Sequence, residues 1–154
     1  MKIKLETDKD ISDLTLEEFD NYFVGFLNFY VEDGNNEILL FSTTLYTTFL
    51  NEFNDILIDM YKSPDCKKEI STIGNANLYT LKRKREVLEI TEFNQVSETI
   101  DGVYEFNFFD FLGEYTERLE QHLIFLQNTN SNIVEEFKFN LLKNELIQFK
   151  QLGL

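Results

Sequence analysis

Residues 44–62, TLYTTFLNEFNDILIDMYK, carry the clearest amphipathic pattern in the chain. Leu45, Phe49, Phe53, Ile56 and Met60 recur at steps of three and four, so a 3.6-residue helix gathers them into one apolar stripe, widened by Tyr46, Leu50 and Leu57. Such a stripe has to be buried, which makes this helix the element against which the rest of the chain packs. On the same wheel Thr48, Glu52, Asp55 and Asp59 fall together beside the apolar edge, giving a narrow acidic flank. Pro64, with Ser63 and Asp65 around it, ends the helix, and Ser42 or Thr43 is placed to cap its start.

Upstream, Met1 to Glu6 alternates like a half-buried strand. Thr15 with Glu18 makes a capping box, and Leu14 with Phe19 a hydrophobic staple, which predicts a helix beginning at Leu16. Tyr22 to Val31 reads in two ways. Leu16, Phe19, Phe23, Phe26, Leu27 and Tyr30 share one side of a helix, yet the same run is rich in strand-forming types and would meet Ile38 to Phe41 across an Asp33-Gly34 turn. Gly34 fits that turn or a helix C-terminus equally. Cap, staple and periodicity agree on a helix through Tyr30, and that is the expectation.

Downstream, Ile70 to Ile73, Leu78 to Leu81, Val87 to Ile90 and Val103 to Phe109 are short strands separated by Gly74-Asn75, Lys82 to Glu86 and Asp101-Gly102. An antiparallel meander over about residues 70–109 is expected. Leu112 to Gln127 then has helical character, with Tyr115, Leu119, Leu123 and Leu126 on one side and Glu114 four residues before Arg118, although a strand is also compatible. Asn132 with Glu135 opens a last helix from Ile133 to about Lys150. Its two apolar stripes are Ile133, Val134, Phe137 and Leu141, then Phe139, Leu142, Leu146 and Phe149. The predicted class is therefore α+β, a meander packed against amphipathic helices before and after it, in a single domain over residues 1–154.

Composition narrows the function classes. With 43% hydrophobic residues, 16 Phe and 7 Tyr, the chain can fill a core despite a net charge of −14. A lone cysteine, Cys66, makes no internal disulfide, no apolar leader opens the chain, and no apolar run approaches the roughly 20 residues of a membrane span. A soluble, cytoplasmic protein is expected. The strong negative charge repels nucleic acid and favours encounter with a basic protein surface; its other reading is solubility alone.

The charge is unevenly spread. Basic against acidic residues number three to thirteen over residues 1–61, seven to two over 62–85, and four to thirteen over 86–154. Lys82, Arg83, Lys84 and Arg85 form the sharpest basic run, which at a hairpin tip would meet phosphate or an acidic partner, or simply stay solvated and balance the acidic remainder. Glu52, Asp55 and Asp59 present oxygens in a row rather than a cage, so they suit a basic partner better than a metal ion, and a solvated face is the plain reading. His122, the one histidine, has only Glu120 and Gln121 beside it and no sequence signal of a triad. Lys67 and Lys68 beside Cys66 would lower its thiol pKa. No phosphate-binding glycine loop, dinucleotide fingerprint, zinc spacing, HExxH or GxSxG occurs, so neither cofactor nor metal is expected.

In size, acidity, absence of catalytic motifs and α+β pattern the chain resembles the small cytoplasmic immunity proteins that bacteria carry against secreted or contact-delivered toxins. The resemblance implies a protein that binds a toxin domain tightly, often over its active site, and performs no chemistry. Two other readings stand beside it: a small enzyme or ligand-binding domain assembled around His122 with Tyr115, and a homodimeric structural protein that buries its aromatic excess between copies.

Overall fold

The computed structural model describes residues 1–8 and 10–153. In chain order the elements are β1 (Lys2–Glu6), α1 (Phe19–Phe23), β2 (Leu27–Asp33), β3 (Asn36–Thr43), α2 (Tyr46–Lys62), β4 (Asp65–Ser71), β5 (Asn77–Lys84), β6 (Val87–Asn94), β7 (Thr99–Asn107), α3 (Phe108–Thr129), a 3-10 turn (Ser131–Glu135) and α4 (Phe137–Gln151). Two antiparallel sheets result, β1-β2-β3 and β4-β5-β6-β7. The fold is α+β, with the meander and flanking helices that the sequence pattern predicts.

Helix α2 lies at the centre. Phe53 meets the rings of Phe29 at 5.7 Å, Phe41 at 5.3 Å and Tyr115 at 5.3 Å, all edge-on, so one side chain touches the first sheet and α3 together. Phe41 in turn meets Tyr79 at 4.7 Å and joins the two sheets. Edge-to-face pairs of this kind contribute about 0.5–1.5 kcal/mol each beyond the area they bury. Most of the aromatic excess is thus spent inside the chain's own core.

The expected helix through Tyr30 is not formed. The Thr15–Glu18 box exists, with Thr15 N–H and Oγ1 both donating to Glu18 Oε1, but it heads only the single turn of α1. From Leu27 the chain is a strand, paired with β1 on one side and β3 on the other. Alternation wins because it buries Leu27, Phe29 and Val31 on one face, and because a partner strand lies across a tight turn in which Gly34 takes φ +64°. A bulge beside Phe29 adds one residue to β3 and turns both Leu40 and Phe41 into the core.

Neither Ser42 nor Thr43 caps α2, since both belong to β3. Leu45 precedes the helix in the left-handed region at φ 48° and is 36% exposed, so it drops out of the buried stripe. The first N–H groups are satisfied by main chain instead: Leu45 and Tyr46 donate to the carbonyls of Val24 and Gly25 at 3.1 and 3.2 Å, and Thr47 Oγ1 donates to the Phe23 carbonyl. The C-terminal end of α1 therefore closes the N-terminal end of α2.

Two further boundaries move. Asp101 and Gly102 lie inside β7, not in a turn, and a side chain at Gly102 would collide with the Tyr104 ring that covers it. Strand β7 stops at Asn107, whose side chain caps α3 by accepting from the N–H groups of Phe109 and Asp110, so Phe108 and Phe109 are helical. Residues 112–127 are helix, with Tyr115, Leu119, Leu123 and Leu126 buried. The last helix starts later than expected, capped by the Glu136 carboxylate rather than Asn132. Only its second stripe is fully buried: Phe137 of the first is 75% exposed.

Candidate functional site

The acidic flank of α2 is where the helical period places it. Thr48, Glu52, Asp55 and Asp59 are exposed, while most of the remaining surface of the helix is covered by the sheets, α3 and α4. Lys68 on β4 lies 3.7 Å from Asp59, an exposed pair that contributes little to stability. Among the described residues, Glu52 and Asp55 make no ion pair.

Under this stripe lies a polar cluster with no sequence signature. The Tyr115 hydroxyl donates to Asn54 Oδ1, and Asn54 Nδ2 donates to Glu145 Oε1 at 3.2 Å, linking α2, α3 and α4. Glu145 is 5% exposed, and burial pushes its carboxyl up to about 8; the charge of Asp55 adds to this and the Asn54 hydrogen bond opposes it. A carboxyl in that state is mostly protonated at pH 7. Tyr115 is pushed well above the usual phenol range, first by burial and then by Glu145.

The basic run does not assemble into one patch. Alternate residues of a strand point to opposite faces, so Lys82 and Lys84 face solvent while Arg83 joins Tyr79 and Leu81 inside, 4% exposed. Its Nη1 donates to the carbonyls of Met60 and, at 3.0 Å, Tyr61, and its Nε to the Arg85 carbonyl at 2.7 Å. The guanidinium also lies over Phe108 at 4.2 Å. Arg83 thus caps the carbonyl end of α2, where a cation is favoured. Arg85 turns the hairpin at φ 58°, with its N–H bound to the Pro64 carbonyl.

His122 borders a cleft of about 300 Å³ lined by Leu5, Thr7, Arg118, Gln121 and Phe125. Its ring meets Tyr46 edge-on at 6.1 Å. Burial lowers the imidazole to about 4, so it is neutral at pH 7. His122 Nε2, Arg118 Nε and the Tyr46 hydroxyl are shut from solvent with no partner among the described residues, although buried polar atoms normally find one. The Thr7 hydroxyl is 2.8 Å from that of Tyr22. Tyr115, two turns before His122 on the same helix, is committed to Asn54, so the expected pairing of His122 with Tyr115 is not assembled.

Cys66 is half-buried, and its thiol is raised rather than lowered: burial outweighs Lys68 and Arg83, and Lys67 points to the opposite face of the strand. Among the described residues no group of three or more His, Cys, Asp or Glu is placed to hold a metal ion. Among them, too, no helix is long and apolar enough to cross a membrane. No protein-family model matches the chain, and comparison with curated proteins and with solved structures finds no match.

Proposed function

We propose that the chain is an acidic protein-binding module of the immunity or antitoxin kind, which docks a basic surface of a toxin domain on the exposed stripe of α2. The observation that carries this reading is the stripe itself: Glu52 and Asp55 stand without cationic partners among the described residues on an otherwise buried central helix, so negative charge is displayed on a rigid support. Charge held in this way speeds encounter with a positive partner and disfavours others. Affinity capture from the protein's own cells should recover a basic protein. The combined change Glu52→Gln, Asp55→Asn and Asp59→Asn should slow association about tenfold at low salt, with the difference shrinking as salt is raised. An unchanged on-rate would remove the stripe from the interface.

A second reading is a small-ligand site at His122, favoured by the unpartnered Arg118 Nε and His122 Nε2 beside the cleft. The Arg118 guanidinium and a neutral imidazole, flanked by Leu5 and Phe125, suit a carboxylate or carbonyl oxygen carried on an apolar body. Titration with benzoate, followed at the His122 ring by NMR, should give a saturable shift that His122→Phe abolishes. A shift that never saturates would sink this reading.

A further inference from the structure

The meander has one face against the helices and one open face. On the open side the registered pairings form rows across all four strands: Lys67, Lys82, Glu89, Glu105; then Glu69, Thr80, Thr91, Val103; then Ser71, Leu78, Phe93, Ile100; a further row, Asp65, Lys84, Val87, Asn107, lies on the other side of the first. None of these side chains is buried, and Ile100 and Val103 are 64% and 57% exposed.

Within one chain the first row has one favourable cross-strand neighbour pair, Lys82 opposite Glu89, flanked by two unfavourable ones. Both of its cations sit on β4 and β5 and both of its anions on β6 and β7, so Lys67 neighbours Lys82 and Glu89 neighbours Glu105. Like charges in directly opposed cross-strand positions destabilise a sheet, and none of the four forms an ion pair among the described residues. Protection of a free edge does not account for them, because Lys82 and Glu89 are on the two interior strands.

We infer that this face pairs with the same face of a second copy, about a two-fold axis running along the strands. That operation reverses the strand order and keeps each row opposite itself. Lys67 then faces Glu105 of the second copy, Lys82 faces Glu89, Leu78 faces Phe93, and Thr80 faces Thr91. Every charge in the first row meets its opposite and Leu78 meets Phe93, while at the rim Glu69 comes opposite Val103 and Ser71 opposite Ile100. A two-fold axis across the strands would instead set each strand on its own counterpart, where Lys82 and Glu89 meet no opposite charge, because the open face of β5 carries no acid and that of β6 no base. The pairing is isologous, as in most soluble dimers, and matches the face-to-face packing of antiparallel sheets. Four strands about 4.8 Å apart and seven residues long cover on the order of 450 Å² in plan, less than the roughly 800 Å² per partner of a standard interface, so the dimer dissociates on dilution. Helix α2 lies against the other face of the sheet, so its acidic stripe stays free in the dimer, and this pairing does not depend on the function proposed above.

Sedimentation of the full chain from about 1 µM to about 1 mM tests it. The mass should rise with concentration from that of the 18.3 kDa chain towards twice that value. Two charge variants separate contacts between copies from contacts within one. Lys67→Glu with Lys82→Glu makes the row wholly negative, and Glu89→Lys with Glu105→Lys makes it wholly positive. Each alone should stay monomeric, and an equimolar mixture should form a one-to-one dimer at lower concentration than the natural chain does. Val103→Glu, at an exposed edge-strand position remote from the core, sets a like charge opposite Glu69 of the second copy and should also weaken the dimer. A natural chain that stays monomeric throughout the series overturns the inference, as does self-association of the charge variants equal to the natural chain's, or a mixture that fails to associate.

Discussion

Arg83 and His122 are both basic side chains drawn into the protein, and they are handled in opposite ways. The Arg83 guanidinium is surrounded by three main-chain carbonyls and two aromatic faces, Phe108 and Phe109. His122 is pushed towards neutrality because its Nε2 is buried with no partner to stabilise a cation. A desolvated basic group is either saturated or discharged, and which outcome holds depends on the acceptors around it. Arg83 is therefore part of the architecture, whereas His122 has hydrogen-bonding capacity unspent.

Removing Arg83 should have the largest effect. Arg83→Met keeps much of the aliphatic stem but leaves the Met60, Tyr61 and Arg85 carbonyls without their charged donor, at a cost of about 3 kcal/mol or more. A urea midpoint lowered with an unchanged slope would show it, with faster amide exchange at the end of α2. Next comes Glu145, whose folded-state pKa of about 8 lies above the ordinary carboxyl value of 4.5. The folded protein then holds a proton that the unfolded chain has released, so this group's contribution is fully present below pH 4.5 and is lost as pH rises towards 8. Glu145→Gln should raise Tm at pH 8 by on the order of 5 °C and leave it unchanged at pH 4.5.

The smallest effect belongs to His122, with the opposite sign. Its folded pKa of about 4 lies below the ordinary imidazole value of 6.5, so its contribution is present above pH 6.5 and lost as pH falls to about 4. His122→Phe should change stability at pH 7 by less than about 1 kcal/mol and flatten the acid limb of a Tm-against-pH curve. An acid limb left unaltered would mean that the imidazole titrates normally and that the contrast with Arg83 is false.

How far the sequence reveals these sites follows from the range of the forces involved. The acidic stripe of α2 was legible because a helix sets the spacing of its own faces. Arg83 carried a readable signal that a contiguous basic run obscured: extending the strand at Leu78 to Leu81 by a few residues places position 83 on the same side as Tyr79 and Leu81. The segment after Leu16 misled because a capping box is a local preference worth about 1 kcal/mol, whereas β2 gains two partner strands and three buried side chains. The Asn54–Glu145 contact spans 91 residues, and no local pattern marks it. The same holds for the cleft at His122, which needs Leu5 and Thr7 from the other end of the chain.

The connectivity of the two sheets also sets an order of assembly. The meander pairs only strands that follow one another, with β5 and β6 joined through Arg85 and Glu86 alone, so few residues must be confined before pairing begins. Strand β1 must wait for β2 across residues 7–26, and the N–H of Ile3 is bound to the Glu114 carboxylate of α3, 111 residues away. Contacts between neighbours in sequence form fastest, so amides of β5 and β6 should gain protection first in pulsed hydrogen exchange during refolding and that of Ile3 among the last. Strand β1 is then among the last elements to find its place, and until α3 exists it has a free edge for a chaperone, or another chain, to hold.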